Sequence, residues 1–190
     1  FSPFFALAAP DVNQLPTNGQ VVAGQASINT GGATNAPVMT INQSTNRAVI
    51  NWSGHDIGAN AQVNYVVPNA SSSTLSRVTS GNPTQIFGRL TSNGQLFLTN
   101  SSGILFGRTA SVDVGALVAT THSIGNEDFM AGRLRFSREG ATGSVVNEGE
   151  IKAALNGYIA LLAPEVRNEG VIVAQMGTVA LAAGEAFELN

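Results

Sequence analysis

The residues that could carry out acid–base, nucleophilic or metal chemistry are few and widely spaced in this 190-residue sequence. There is no cysteine, and the two histidines, His55 and His122, have no neighbouring pattern typical of a metal site or of nucleophilic catalysis. The carboxylates do not cluster as they would in a polysaccharide hydrolase or a calcium site. The aspartates are Asp11, Asp56, Asp113 and Asp128. We therefore predict that the chain is not an enzyme and binds no metal or cofactor.

The composition favours a folded domain without a nucleic-acid-binding or membrane-spanning role. Charged residues make up 11% of the chain and hydrophobic residues 43%, which argues against disorder. Only 9 residues are basic and a single one, Lys152, is lysine, so no basic face for nucleic acid is expected. No apolar run approaches the length of about 18 residues that a membrane-spanning helix needs. Such a composition suits short stacked strands joined by turns.

An internal repeat in the last third of the chain predicts how these strands are arranged. Residues 145–153 (VVNEGEIKA) recur 21 residues later as residues 166–174 (VRNEGVIVA). A period near 20 residues indicates a solenoid. The units lack the leucine frame of leucine-rich repeats and carry Val, Ile and Ala runs between Asn-x-Gly turns. We therefore predict a parallel β-helix with about 20–21 residues per coil, in which Asn147 and Asn168 stack and bond along the axis.

Residues 93–119 form the clearest succession of strands and turns upstream of this repeat. Residues 95–99 and 104–106 are strand-like runs, and the polar residues 100–103 between them supply a tight turn. Gly103 can adopt a positive φ, and Asn100 can bond its own backbone two residues on. The alternating run VDVGALVA that ends at Ala119 predicts another strand, interrupted by a bend at its glycine.

These residues resemble the signature of the two-partner secretion (TPS) domain of the filamentous haemagglutinin and high-molecular-weight adhesin family of Gram-negative bacteria. That family usually has an Asn-Pro-Asn-Gly turn followed by an Ile-Leu/Thr-Phe-Gly run. Here Ser101 and Ser102 replace the proline and the second asparagine, so the turn lacks a residue that would preset φ. Residues 75–78 (LSRV) are similar to the family's Leu-Asn-Arg-Val, with Ser76 in place of asparagine. The resemblance covers roughly residues 19–186.

The resemblance implies an all-β fold, namely a right-handed parallel β-helix with an N-terminal β cap and a small extra-helical antiparallel sheet. It also implies a secretion-targeting role, with recognition by a cognate TpsB-type outer-membrane β-barrel transporter that has periplasmic POTRA domains, and nucleation of β-helix folding after export. The protein would then reach the medium or the cell surface of a Gram-negative bacterium through the periplasm. The recognition residues that the resemblance implies are Leu75, Ser76, Arg77, Val78, Asn100, Ser101, Ser102, Gly103, Ile104, Leu105, Phe106 and Gly107.

Alternatives to these assignments stay open at the level of sequence. Asn100 and Gly103 could serve only to close a turn, and Arg77 could be a half-buried arginine that donates to turn carbonyls. For the chain as a whole, the alternative is an adhesin or carbohydrate-binding β-helix module. Host or matrix glycans would then be ligands of the full-length protein.

The ends and one irregular segment complete the predicted organisation. Residues 1–10 (FSPFFALAAP) contain a small-x-small pattern at residues 6–8 and are predicted to be the end of a secretory signal peptide or, alternatively, an N-terminal arm. Residues 11–190 are predicted to be a single TPS β-helix domain, the N-terminal fragment of a longer exoprotein. Within it, residues 122–143 are predicted to form an extra-helical hairpin that lies on the solenoid.

Overall fold

The computed structural model describes residues 7–190, in which nearly all regular structure is β-strand. The elements in chain order are β1 (Gln20–Ala23), β2 (Ala26–Ala33), β3 (Ala36–Gln43), β4 (Arg47–Trp52), β5 (Gln62–Val66), β6 (Ser73–Val78), β7 (Thr84–Ile86), β8 (Arg89–Thr99), β9 (Ile104–Phe106), β10 (Ser111–Thr120), α1 (Asn126–Met130), β11 (Leu134–Ser137), β12 (Ser144–Asn147), β13 (Glu150–Ala153), β14 (Tyr158–Leu162), β15 (Glu165–Asn168), β16 (Val171–Ala174), β17 (Thr178–Ala182) and β18 (Ala186–Leu189).

Most of these strands stack in parallel as successive coils of a solenoid of about seven turns, which confirms the predicted parallel β-helix. Sheet 1 contains β3, β5, β13 and β16, and sheet 2 contains β4, β6, β14 and β17. The long strands β8 and β10 run through both sheets. Sheet 3 is the four-stranded stack of β7, β9, β12 and β15. Sequence repeats become neighbouring rungs, because Val145 pairs with Val166 and Ile151 pairs with Ile172.

The interior of the solenoid is filled by every second side chain of each strand, as the period of a β-strand requires. Trp52, Tyr65 and Phe106 are among the largest side chains and are almost completely buried there. The predicted asparagine ladder is present, because Asn147 Nδ2 donates to Asn168 Oδ1 over 2.9 Å. Large residues near the N-terminal end and smaller aliphatic residues toward the C-terminal end thus fill a continuous core.

Glycines occupy the corners at which one coil passes close to the backbone of the next. β8 and β10 bend at Gly94 and Gly115, where the register between the two strands shifts. A Cβ atom on Gly115 would lie 2.6 Å from the Gly94 carbonyl oxygen, and one on Gly157 would lie 2.2 Å from the Gly115 carbonyl oxygen. A Cβ on Gly177 would likewise lie 2.0 Å from the Gly157 carbonyl oxygen. Stacking of glycine over glycine therefore permits the coil spacing at this corner.

Antiparallel strands cover the N-terminal end of the solenoid. β1 pairs with β4 at the end of sheet 2, and β2 pairs with β3 at the end of sheet 1. Trp52 packs beneath this end, since its ring lies where a Cβ on Gly19 would be. The arrangement confirms the predicted β cap, which covers the core of the first coil.

The predicted extra-helical hairpin within residues 122–143 is closed by one antiparallel bridge between Ser123 and Ser137, but its strand finds its main partner outside this segment. This segment contains the five-residue helix α1 and the strand β11, and β11 pairs antiparallel with β18. Phe136 of β11 lies opposite Phe187 of β18, and both contact the apolar outer side of sheet 2. The extra-helical antiparallel sheet is therefore present, but it joins two segments about 50 residues apart. Among residues 7–190 no helix has the length and hydrophobicity needed to cross a membrane.

We predict that Gly157→Ala destabilises the domain because its Cβ would overlap the backbone of the preceding coil. The expected decrease in the free energy of unfolding is about 2 kcal/mol, typical of overpacking. Gly31→Ala is the matched control, since a Cβ at Gly31 meets no atom within 4 Å, and its effect should stay within about 0.5 kcal/mol. Urea unfolding of the two variants measures the difference. Equal midpoints would contradict the role given to the glycine stack.

Candidate functional site

Asn100 begins the turn between β8 and β9, and both the nitrogen and the oxygen of its side-chain amide are hydrogen bonded within the folded domain. Its Nδ2 donates to the Asn82 carbonyl and to Thr84 Oγ1, each over 2.9 Å. Its Oδ1 accepts a hydrogen bond from the Ser102 backbone nitrogen over 3.0 Å. Asn100 is only 1% exposed. The amide therefore joins two successive coils and closes its own turn at the same time.

The rest of this turn is held between the coils on either side of it. Gly103 has a φ of 121°, a conformation that a residue with a Cβ rarely adopts. Ser102 Oγ donates to the Gly81 carbonyl of the preceding coil over 2.9 Å. A Cβ on Gly143 of the following coil would lie 2.4 Å from the Gly103 nitrogen. Ser101 is the one residue of the turn that is exposed.

The strand β9 that follows the turn points its residues alternately into and out of the solenoid. Ile104 and Phe106 belong to the interior core. Leu105 faces outward and yet is only 7% exposed, because it packs with Val146 and Phe87 on the outer side of sheet 3. Gly107 is close to the Phe87 ring, which a Cβ would approach to 2.3 Å. The whole run 103–107 is buried in the folded domain.

The N-terminal segment reaches this outer side of sheet 3. Gln85 Nε2 donates to the Ala8 carbonyl over 3.0 Å. Residues 1–6 lie outside the described residues, so the predicted signal peptide or arm at residues 1–10 stays a prediction.

The second predicted motif lies in β6 and also divides between the inside and the outside of the solenoid. Ser76 and Val78 face the interior, where Ser76 Oγ accepts a hydrogen bond from Trp52 Nε1 over 3.1 Å. Leu75 faces outward and belongs to a separate apolar cluster between sheet 2 and the extra-helical segment. β6 pairs with β8, so this motif lies one coil before the strand that leads into the Asn100 turn.

Arg77 joins β6 to the loop that precedes α1. Its Nη1 donates to Asn51 Oδ1 over 3.1 Å and to Asn126 Oδ1 over 2.7 Å, and its Nη2 donates to the Ile124 carbonyl over 2.7 Å. Partial burial lowers the pKa of the guanidinium, which nevertheless remains a cation at neutral pH. Arg77 therefore has the contacts of an arginine that holds a loop carbonyl. It lies opposite Thr99 in register, next to Asn100, but its hydrogen-bond partners differ from those of Asn100.

A buried polar network that the sequence did not reveal crosses the interior beside Ser76. Ser76 Oγ is 2.6 Å from the Tyr65 hydroxyl, and this hydroxyl is 2.7 Å from His55 Nε2. The ring centroids of Trp52 and His55 are 5.5 Å apart at nearly a right angle. Burial is the main cause that lowers the pKa of His55 to about 4. His55 is thus a neutral core histidine, and the described residues contain no group of three or more His, Cys, Asp or Glu placed to hold a metal ion.

The fold and the motif geometry agree with a specific family. The model of the TPS secretion domain matches residues 10–190. This chain belongs to that family. It is 36% identical over 180 residues to a heme/hemopexin-binding protein of Haemophilus influenzae strain Rd, and 33% identical over 135 residues to an H. influenzae protein of the same name. The matches cover 91% and 71% of this chain but 19% and 14% of those relatives, so the chain spans less than a fifth of their length.

Solved structures of secretion domains resemble the same solenoid. The HMW1 secretion domain from H. influenzae superposes with a TM-score of 0.84 at 32% identity, covering 91% of this chain and 46% of that one. The filamentous hemagglutinin secretion domain superposes with a TM-score of 0.67 at 19% identity, covering 92% and 65%, and shares the fold. The chain is thus a TPS secretion domain. TPS exoproteins are secreted from Gram-negative bacteria, and their secretion domains work with a cognate TpsB outer-membrane transporter.

We predict that Asn100→Ala destabilises the folded domain by about 3 kcal/mol, because the buried partners of the amide lose their hydrogen bonds. The matched control is Ser101→Ala in the same turn, where the exposed side chain should contribute less than about 0.5 kcal/mol. Urea unfolding measures both values. An Asn100→Ala variant as stable as the wild type would show that these bonds do not support the fold.

We predict that the domain loses stability as the pH falls below about 6.5, the ordinary value for histidine. The pKa of His55 is lower in the folded than in the unfolded chain, so the unfolded chain binds the proton first and the loss continues down to about pH 4. The cost at pH 5 is on the order of 2 kcal/mol. Urea unfolding between pH 7.5 and pH 5 tests this, with His55→Gln as the control that should lack this part of the slope. An unchanged slope in the variant would assign the pH dependence to other groups.

Proposed function

We propose that residues 10–190 target an exoprotein for secretion by presenting their two motifs to a cognate TpsB-type transporter before folding is complete. The burial of the motifs carries this proposal. Of the twelve motif residues, nine are buried, Arg77 and Ser102 are half-buried, and Ser101 is exposed. A transporter that met the folded domain would contact almost none of them, whereas an unfolded or partly folded chain offers them all.

Strand addition gives this recognition a physical basis. An unfolded chain has unpaired backbone donors and acceptors, which can add to the edge of a sheet in the periplasmic POTRA domains of the transporter, while alternate side chains supply selectivity. Leu105 and Leu75 are apolar residues that point to one side of their strands, as such an interaction requires. The partner, the periplasmic route and the final location at the cell surface or in the medium are parts of the same proposal.

Folding outside the cell would make the transfer directional. Each coil hydrogen bonds to the coil before it, so the cap and first coils nucleate those that follow. Once Asn100 has bonded to the preceding coil and Gly103 has packed against Gly143, the turn is no longer accessible to the transporter. Return through the outer membrane would then require unfolding of the coils.

The activity of the exported protein is a separate proposal. The 36% identical relative is named a heme/hemopexin-binding protein, so a protein that contains this domain is a candidate for the same ligands. Capture of purified hemopexin by the full-length secreted protein, with an export-competent protein lacking the region after the domain as control, tests this. Absence of capture would contradict it.

Glycan binding by the domain is the second candidate, favoured by the outer side of sheet 1. Asn64, Thr91 and Asp113 lie there in register on neighbouring coils, and Thr91 Oγ1 donates to Asn64 Oδ1 over 2.7 Å. Such rows of donors and acceptors can bind sugar hydroxyl groups. A glycan array with the purified domain discriminates between the candidates, since a domain used only for export should bind no glycan selectively.

We predict that this domain, expressed with a complete signal peptide in a Gram-negative host, appears in the medium only when the cognate transporter is present. Asn100→Ala should reduce export at least tenfold, because the proposal makes Asn100 part of the motif that the transporter recognises. Ser101→Ala should leave export within twofold of the wild type. Immunoblots of medium and periplasm measure the distribution. Retention of the wild-type domain in the periplasm, in a host whose cognate transporter is shown to be functional, would overturn the proposal.

A further inference from the structure

An apolar column runs across the outer side of sheet 2, where a solenoid would normally present polar residues to solvent. Strand register places its members side by side on successive coils. All of them face away from the interior core, yet none is more than 3% exposed. The members of this outer column are Val49, Leu75, Phe97, Val118 and Ala160.

The outer column is covered by aromatic side chains of the extra-helical segment. Phe129 of α1 meets Phe97 edge to face with ring centroids 5.2 Å apart, and Phe136 of β11 lies parallel to Phe97 at 6.3 Å. Phe187 of β18 packs on the same cluster. We call residues 124–137 and 186–189 the cover. Arg77, beside the column, donates to the Ile124 carbonyl and to Asn126 at the start of the cover.

The order of the sequence separates the column from its cover. Four of the five column residues precede residue 120, whereas the cover begins at residue 124 and is completed by β18. Each coil of a solenoid contacts only its neighbours, so a chain that becomes available from its N-terminus can form the coils that carry Leu75 and Phe97 before the cover is present. The partly folded domain then presents an uncovered apolar face that includes Leu75 of the first motif and Phe97 of the strand that leads into the second.

We propose that this outer column is the surface through which the partly folded domain is held by its transporter, by means of a segment that presents aromatic side chains. The inference rests on the proposed function and specifies which face the transporter contacts. The cover of this chain later replaces that segment. Arg77 then exchanges a carbonyl acceptor of the partner for the Ile124 carbonyl of the cover. The chemistry of the occupant follows from the cover itself, which fills the column with phenylalanine rings and offers a backbone carbonyl to Arg77.

The other two sides of the solenoid fit such a partner less well. The outer side of sheet 1 is polar at Asn64, Thr91 and Asp113. The outer side of sheet 3 has a small apolar group of Leu105 and Val146 with Phe87 packed against them, and Arg167 is the next residue in register after Val146. The outer column of sheet 2 contains no charged residue, and it extends over five consecutive coils.

The double variant Phe129→Ala, Phe136→Ala tests the inference because it removes two rings of the cover and leaves the column and the interior core unchanged. Hydrogen exchange should show faster exchange in residues 124–137 with protected strands in sheets 1 and 3. Binding to the purified periplasmic domains of the transporter is then measured for three samples: native wild type, native double variant, and wild type freshly diluted from urea. We expect the double variant to bind at least tenfold more tightly than the native wild type.

Phe87→Ala is the matched control, since it removes one outward ring from sheet 3 and leaves the cover intact. It should bind as the native wild type does, and an equal gain in affinity would overturn the choice of sheet 2. If the double variant does not fold, Phe136→Ala alone gives a milder opening of the same cover. A variant with an opened cover that binds no more tightly than native wild type, while urea-diluted wild type binds, overturns this inference and leaves the proposed function standing. Absence of binding by urea-diluted wild type overturns both.

Discussion

Hydrogen bonding between successive coils is the interaction on which the rest of this structure depends. A single coil of about 20 residues cannot bury its apolar side chains or pair its backbone alone. Stacking brings the strands to the usual spacing of about 4.8 Å, and this spacing leaves no room for side chains at the corner where Gly94, Gly115 and Gly157 follow one another. The pattern of glycines is thus a consequence of backbone pairing between coils.

The same constraint explains why the secretion motifs are hidden in the folded domain. The Asn100 amide bonds to Asn82 and Thr84 of the preceding coil, and Gly103 contacts Gly143 of the following one. A turn whose polar groups are shared between coils can form only as those coils form. In the proposed function, the same residues would serve recognition in the unfolded chain and stability in the folded one, as a protein that folds after crossing a membrane would require.

The outer side of sheet 2 carries apolar residues that the solenoid alone would leave exposed to solvent. Alternation of side chains fills the interior, but it also places Leu75, Phe97 and Val118 on the outer side of sheet 2. These residues become buried only because α1 and β11 are inserted between coils and β18 returns to pair with β11. The extra-helical segment is therefore part of the core of this domain, and Arg77 connects it to the strand below.

The sequence by itself determined the coil, because local patterns carry that information. Alternating strand residues, the 21-residue repeat at Val145 and Val166 and the turn at Asn100 indicated a parallel β-helix of the TPS family, with an asparagine ladder at Asn147. Only the tertiary structure decided which groups meet across coils. The pairing of β11 with β18 and the bonds of Asn100 to Asn82 and Thr84 join residues of different coils or of distant segments, and the burial of His55 depends on how its loop packs beside Tyr65. Local periodicity contains no information about such partners, since their positions depend on how the coils stack and on which outer face remains to be covered.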